Sequence, residues 1–330
     1  MDFRGFSVSV IIKNGAGKPC NSLYGVYMEK KKRKLPIMPI AIILMFLAGA
    51  GVFLYPTISN YFAEKNSSQK SDEYKSTVAQ FDKEMVSREK QKAIEYNEAL
   101  AGDPVRDPFI EGSGMALPVN YLEVMNINGI ICTIEIPKIN VKLPVLHGTS
   151  KEVLDKAVGH VRQTAFPIGG LGNHTVLTGH TGLSHAKLFT DLIKLEIDDI
   201  FMINVLQETL FYKIDDISVI IPEDIEKLEP IEDEDHVTLV TCTPYGVNSH
   251  RLLVRGIRTA ETGEEFIESS KEVYTIWDKI GEYKTIIIVL SLLLLFIIII
   301  IIYIIKSRKD KENKERKKQY EKEQDDIEEK

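Results

Sequence analysis

His236-Val237-Thr238-Leu239-Val240-Thr241-Cys242, followed by Thr243-Pro244-Tyr245-Gly246 and then by Arg251-Leu252-Leu253-Val254-Arg255, is the stretch on which the fold turns. The first run is apolar and β-branched and reads as a strand. Thr-Pro-Tyr-Gly reads as a turn, and the second run as a returning strand. If 237–242 and 251–256 pair antiparallel, Arg251 lies almost opposite Cys242. Arg255 points to the same face about 13 Å further along.

Similar short runs recur upstream with turn signals between them: ICTIEI, VKLPVL, HTVLTGH, DDIFMIN and ETLFYKIDDISVII. Many short strands with few helical runs predict a β-barrel or sandwich over 120–258. Helix-like pieces interrupt it at Lys151–Val158 and Ala186–Leu192. The acidic cluster Glu232-Asp233-Glu234-Asp235 reads as a solvated turn. Upstream, residues 102–119 hold three Pro and three Gly, the composition of an ordered loop or lid. Before them, Val78, Phe81, Met85, Ala93, Tyr96 and Leu100 follow helical spacing, so 56–101 reads as a helical extension with Gly102 as its stop.

Two uncharged apolar runs flank this region, at 36–55 and 285–305. Each is near the ~20 residues that span a bilayer as a helix. Lys30-Lys31-Lys32-Arg33-Lys34 precedes the first, and eight basic residues against three acidic lie within 306–318 after the second. Basic flanks stay cytoplasmic. The reading is therefore a two-pass membrane protein with a cytoplasmic N-terminus (1–35), an external middle, a linker (259–284) and a cytoplasmic charged tail (306–330). A rival reading makes Ala48-Gly49-Ala50 a signal-peptide cleavage site, although the apolar run continues through Val52, Phe53 and Leu54. Met28 is an alternative start.

The chain of 330 residues has a formal charge of −7 from 41 basic and 48 acidic residues. Eight of the basic residues precede position 56 and ten follow 284, leaving 23 against 37 acidic in the middle, a charge of −14 there. Such an acid surplus argues against a nucleic-acid partner. Three cysteines do not make a disulfide scaffold, and no Cys/His spacing fits zinc; neither metal nor cofactor is expected.

Cys132 sits inside an apolar strand and reads as a buried hydrophobe. Cys242 ends a strand beside a turn, where a thiol can react. A thiol nucleophile needs a base or cation nearby. Of seven histidines, His180 stands out in Thr178-Gly179-His180-Thr181-Gly182, at a strand end flanked by glycines that let backbone approach a ligand. His250 is the runner-up by its closeness to Cys242 in sequence. Arg251 is placed to donate hydrogen bonds to a carbonyl oxygen becoming an oxyanion.

At this point the chain resembles the sortases. Thr238-Leu239-Val240-Thr241-Cys242 is similar to their TLxTC signature, Arg251 to their catalytic arginine and Thr178-Gly179-His180 to their catalytic TGH. The resemblance covers about 121–258. Ala165-Phe166-Pro167 departs from it, since a Leu is commoner there. The resemblance implies an eight-stranded β-barrel with short helices on a membrane-anchored cysteine transpeptidase of Gram-positive bacteria. It implies that Cys242 attacks the Thr–Gly bond of an LPxTG-like sorting signal and forms a thioester that an amine resolves. His180 would move the protons and Arg251 would stabilise the oxyanion.

The second span, the block Thr241–Gly256 and an Asp-Pro-aromatic motif resemble class C, the pilus-assembling branch. In that branch the lid Asp107-Pro108-Phe109 implies Asp107 on the arginine and Phe109 over Cys242. The partners implied are pilins with LPxTG-like signals and an acceptor lysine, with the bilayer around the spans and a peptidoglycan precursor as a further candidate. No LPxTG motif precedes the second span, so the chain is not itself a sorted substrate. Other readings are a housekeeping sortase joining proteins to peptidoglycan, a non-catalytic binding domain and a secreted cysteine protease.

Overall fold

The computed structural model describes residues 37–100, 109, 121–224, 226–260 and 276–328. The chain divides into two compact units, 1–46 and 47–330. Of the first, the described part is helical from 37 onward. The expected N-terminal segment 1–35 and most of the expected linker lie outside the described residues.

In the second unit eight strands close into a barrel in the order β1-β2-β3-β4-β7-β8-β6-β5. They are β1 Ile130–Ile136, β2 Val141–His147, β3 Val158–His160, β4 His174–Thr178, β5 Ile200–Val205, β6 Glu208–Ile220, β7 His236–Thr243 and β8 His250–Thr259. β2 with β3 and β4 with β7 are parallel; the other neighbours are antiparallel. Of the barrel and sandwich left open by strand spacing, the barrel forms, as the resemblance implied.

One strand departs from the sequence reading. Lys151–Val158 was expected to be helical throughout, but the helix (α3) is only Lys151–Leu154 and Val158 opens β3. β3 is three residues long, too short to show a period of two. Likewise the piece at Ala186–Leu192 is irregular chain and a turn leading into a 3-10 helix at Thr190–Lys194. The acidic cluster is not wholly solvated either. Asp235 is buried and accepts hydrogen bonds from Tyr212 Oη at 3.0 Å and Gly170 N–H at 2.9 Å.

The helical extension is two helices. α1 runs Ile37–Val78 straight through Pro56, and α2 runs Lys83–Ala99. The break falls where Asp82 caps α2, its carboxylate accepting the Met85 N–H at 2.8 Å. α1 explains why β1 lacks a clean polar alternation. Tyr74 Oη donates to Ile131 O at 2.9 Å and accepts from Leu206 N–H at 3.0 Å, and Lys75 pairs with Glu135 at 2.6 Å. β1 is thus covered on its outer face by α1 and on its inner face by the barrel core.

α2 docks by its end. Asn97 holds the Phe166 backbone from both sides, accepting its N–H at 2.7 Å and donating to its carbonyl at 3.3 Å. Phe166 stacks on His160 (ring centroids 4.8 Å, 19°) and meets Tyr96 edge-on at 4.8 Å. Tyr121 closes the same box, accepting from Gly148 N–H at 2.9 Å. The chain therefore leaves the box at Leu100 and re-enters it at Tyr121.

α4, Ile276–Glu328, contains the second apolar run and the charged tail in one helix. α1 and α4 are both long and apolar enough to cross a membrane.

His160 and His174 make the barrel acid-sensitive. Burial holds each imidazole down to about 4, His160 donating from Nε2 to Ala165 O at 3.0 Å and His174 from Nδ1 to Glu229 O at 2.9 Å. The unfolded chain takes up these protons near 6.5, whereas the folded chain refuses them until about pH 4. Their contribution is complete above the unfolded value and falls as pH drops through that window, by about 3 kcal/mol per group at most. Urea midpoints should decrease from pH 7 to pH 4.5. Equal midpoints would show that these rings stay neutral at no cost.

Candidate active site

Cys242 is the next-to-last residue of β7, and its register partner on β8 is Arg251. Side chains alternate along a strand, so the two project from the same face of the wall. That face is the outer one. Val240 and Leu253, two residues inward on each strand, belong to a small outer cluster with Val161, Val176, Ile220 and Leu228, while Leu239 and Leu252 belong to the interior.

Arg255 pairs with Thr238 and is held by Asp215 on the β6 bulge, Nε to Oδ2 3.0 Å. It is an ion-pair residue away from the thiol. His250 pairs with Thr243 and so faces opposite to Cys242, its Nδ1 2.9 Å from Ser249 Oγ. Register thus separates the two histidine candidates.

β4 runs parallel to β7 with Thr178 beside Val240, and His180 follows two residues past the end of β4. Two hydrogen bonds fasten the bend. Gly179 N–H donates to Val240 O at 3.1 Å, and the buried Thr241 hydroxyl donates to Gly179 O at 2.7 Å. The flanking glycines have a packing reason as well. A Cβ on residue 179 would stand 2.9 Å from the Phe189 ring. Gly182 has φ +77° and lies under the Tyr245 ring, 3.0 Å from where a Cβ would be. They admit two aromatic side chains.

Electrostatics favour an uncharged His180. The ring is half-buried, and burial holds its imidazole below the ordinary value, more than the Asp155 carboxylate draws it up. A neutral ring can accept a proton. Arg251 is 8 % exposed, and its Nη1 donates to Asn248 O and His250 O, both at 3.2 Å. The guanidinium is therefore held in direction by its own turn. Cys242 is half-buried, in contrast to the fully buried Cys132, whose thiol burial pushes up. A thiol, an imidazole and a guanidinium around one strand end are the parts of acyl transfer. Among the described residues no group of three or more His, Cys, Asp or Glu is placed to hold a metal ion.

Phe109 lies over this cluster. Its ring centroid is 5.7 Å from that of His180, Arg251 Cζ is 4.9 Å from its centroid, and it packs on the outer apolar cluster. Asp107 and Pro108 lie outside the described residues. With Cys20, which lies outside the described residues, replaced by Ser, Phe109→Ala is expected to raise the rate at which a thiol reagent labels Cys242 severalfold. An unchanged rate would show that the ring does not shield the sulfur.

Sequence reasoning missed Thr241, Phe189, Asp155 and Tyr245. Thr241 was visible next to the candidate nucleophile, but only the parallel β4–β7 pairing shows what its hydroxyl meets.

Residues 134–259 match the sortase-domain family. The crystal structure of sortase C-1 from Actinomyces oris is similar at 44 % identity and TM-score 0.52, covering 53 % of this chain and 98 % of that one. Sortase C-1 from Streptococcus pneumoniae is similar at 38 % identity and TM-score 0.56, covering 59 % and 100 %. Sortase SrtE1 of Streptomyces coelicolor is 32 % identical over 137 residues, which is 37 % of this chain and 38 % of that relative's length.

Proposed function

This chain belongs to the sortase family, in its class C branch, and from that premise we propose that it uses Cys242, His180 and Arg251 to link pilin subunits through isopeptide bonds. The family makes it a cysteine transpeptidase. The assignment of roles rests on one observation: Cys242 faces Arg251 across the β7–β8 ladder, while the His180 peptide is fastened to the same strand end.

In the proposed reaction His180 takes the thiol proton of Cys242, and the thiolate attacks the Thr carbonyl carbon of an LPxTG-like signal. Arg251 donates hydrogen bonds to the oxygen as it gains charge. The C–N bond breaks, and His180 gives its proton to the departing Gly amine. A thioester remains. A pilin lysine amine then attacks it, His180 receives the amine proton, and the C–S electron pair returns to sulfur. Phe109 must move before the signal can occupy the cluster it covers, which makes 102–119 a lid with Asp107 and Pro108 as its further members.

The barrel works outside the membrane, anchored by α1 and α4, with both termini cytoplasmic. The basic residues beside each apolar run support this topology. The full chain in liposomes, given a pilin carrying an LPxTG-like signal, should produce a ladder of heat-stable multimers. Capture of a peptidoglycan stem-peptide amine in place of the pilin lysine would sink the pilin assignment.

A further inference from the structure

Beside the site stands a built wall that the proposed mechanism does not use. Tyr245 lies in the turn between β7 and β8, three residues after Cys242. Its ring rests on Gly182, two residues after His180, yet the side chain as a whole is 70 % exposed. The turn is braced by Val247 N–H and Asn248 N–H, both donating to Pro244 O at 3.0 Å. Gly182 is braced as well, its N–H donating to Thr190 Oγ1 at 3.1 Å. A large aromatic is therefore held in water by two braced bends, each starting at a candidate catalytic residue. Exposing a ring of this size forgoes burial free energy, so its position needs a reason beyond packing.

Reaction geometry supplies one. The acyl carbonyl points to Arg251, on the side that Phe109 occupies over the apolar cluster. The amine that leaves and the amine that enters both exchange a proton with His180, so both lie on the His180 side of the carbonyl carbon. The Tyr245 ring meets Gly182, two residues past His180, and so borders the bend that carries His180. An entering lysine arrives as an ammonium, which an aromatic face attracts. The Asp155 carboxylate is close enough to His180 to draw its imidazole up.

We propose that Tyr245, seated on Gly182, is the positioning residue for the acceptor, binding a primary ammonium and its aliphatic stem beside His180. The inference rests on the reading of Cys242 and His180 given above. The ammonium gives one proton to solvent on approach. As its nitrogen attacks the thioester the C–N bond forms, the C–S bond breaks, the sulfur keeps the electron pair, and His180 takes the second proton.

The test uses the full chain in detergent, an LPETG-type peptide as donor and N-acetyl-lysine amide as acceptor. In Tyr245→Ala the KM for the lysine acceptor should rise about tenfold, while the donor KM stays within about twofold, and more of the acyl-enzyme should be lost to water. Tyr245→Phe keeps the ring and should restore the acceptor KM. Tyr245→Leu keeps apolar area without a ring and should not. An acceptor KM that is the same in all four chains overturns the proposal, as does a donor KM that rises in parallel. If the wild-type chain forms no acyl-enzyme with the donor peptide, the reading of Cys242 falls and this inference falls with it; if it forms one and only the acceptor result fails, the reading of Cys242 stands.

Discussion

Replacing Cys242 with alanine is expected to abolish the thioester adduct with an LPxTG-like peptide and to reduce transpeptidation by at least about 1,000-fold, the usual scale for loss of a covalent nucleophile. Among the described residues no other thiol stands in for it. Cys132 is fully buried in β1 with its thiol pushed up by desolvation. Structure should be little affected, because Cys242 is half-buried at a strand end and contributes little to the interior. Mass spectrometry of the intact chain reads the adduct, and gel analysis reads the pilin ladder. A ladder that persists in Cys242→Ala would end the case for this residue.

The second large effect is at Arg251. Arg251→Ala should lower kcat by about 100- to 1,000-fold, with the donor KM changing much less, as for removal of an oxyanion donor. Arg251→Lys should recover little of this. The guanidinium is directed by two carbonyls of its own turn and lies against the Phe109 ring. A lysine ammonium carries the charge but cannot keep that planar, forked geometry. If Arg251→Lys ran at the wild-type rate, the residue would act as a bulk positive charge and the oxyanion role would be wrong. Arg251→Ala is itself a buried truncation, so its melting temperature should be measured alongside; the lysine variant keeps the question open to decision if alanine unfolds the barrel.

The strand ladder was legible because β-branched runs and turn residues alternate along the chain from 121 to 258. The pairing of Cys242 with Arg251 was legible for a simpler reason: a short hairpin leaves few registers, and one choice of register puts both on one face. β3 was not legible, since three residues carry no period. The split of the helical extension at 79–82 was hidden because apolar spacing continues across it, and only Asp82 signals the new start. The reasons for the glycines beside His180 were also hidden. They depend on Phe189 and Tyr245, which reach them through the fold rather than along the chain. Tyr245 itself looked like part of a turn, and its exposure becomes informative only once Gly182 is beneath it.

The hydrogen bond from Thr241 to Gly179 joins residues 62 positions apart in sequence, and β4 and β7, which carry them, run parallel. No hairpin can bring such strands together; the loop between them has to close first, which is slow and costs chain entropy. On the proposed roles the acid–base group is expected to meet the sulfur late in folding, because β5 and β6 separate their two strands in sequence. Until then Cys242 is an ordinary thiol on an unfinished chain. On the proposed roles, the birth of chemical competence is tied to closure of the barrel. Labelling of Cys242 during refolding should accordingly change in the last phase; a change in the first would mean that the site forms without the wall that holds it.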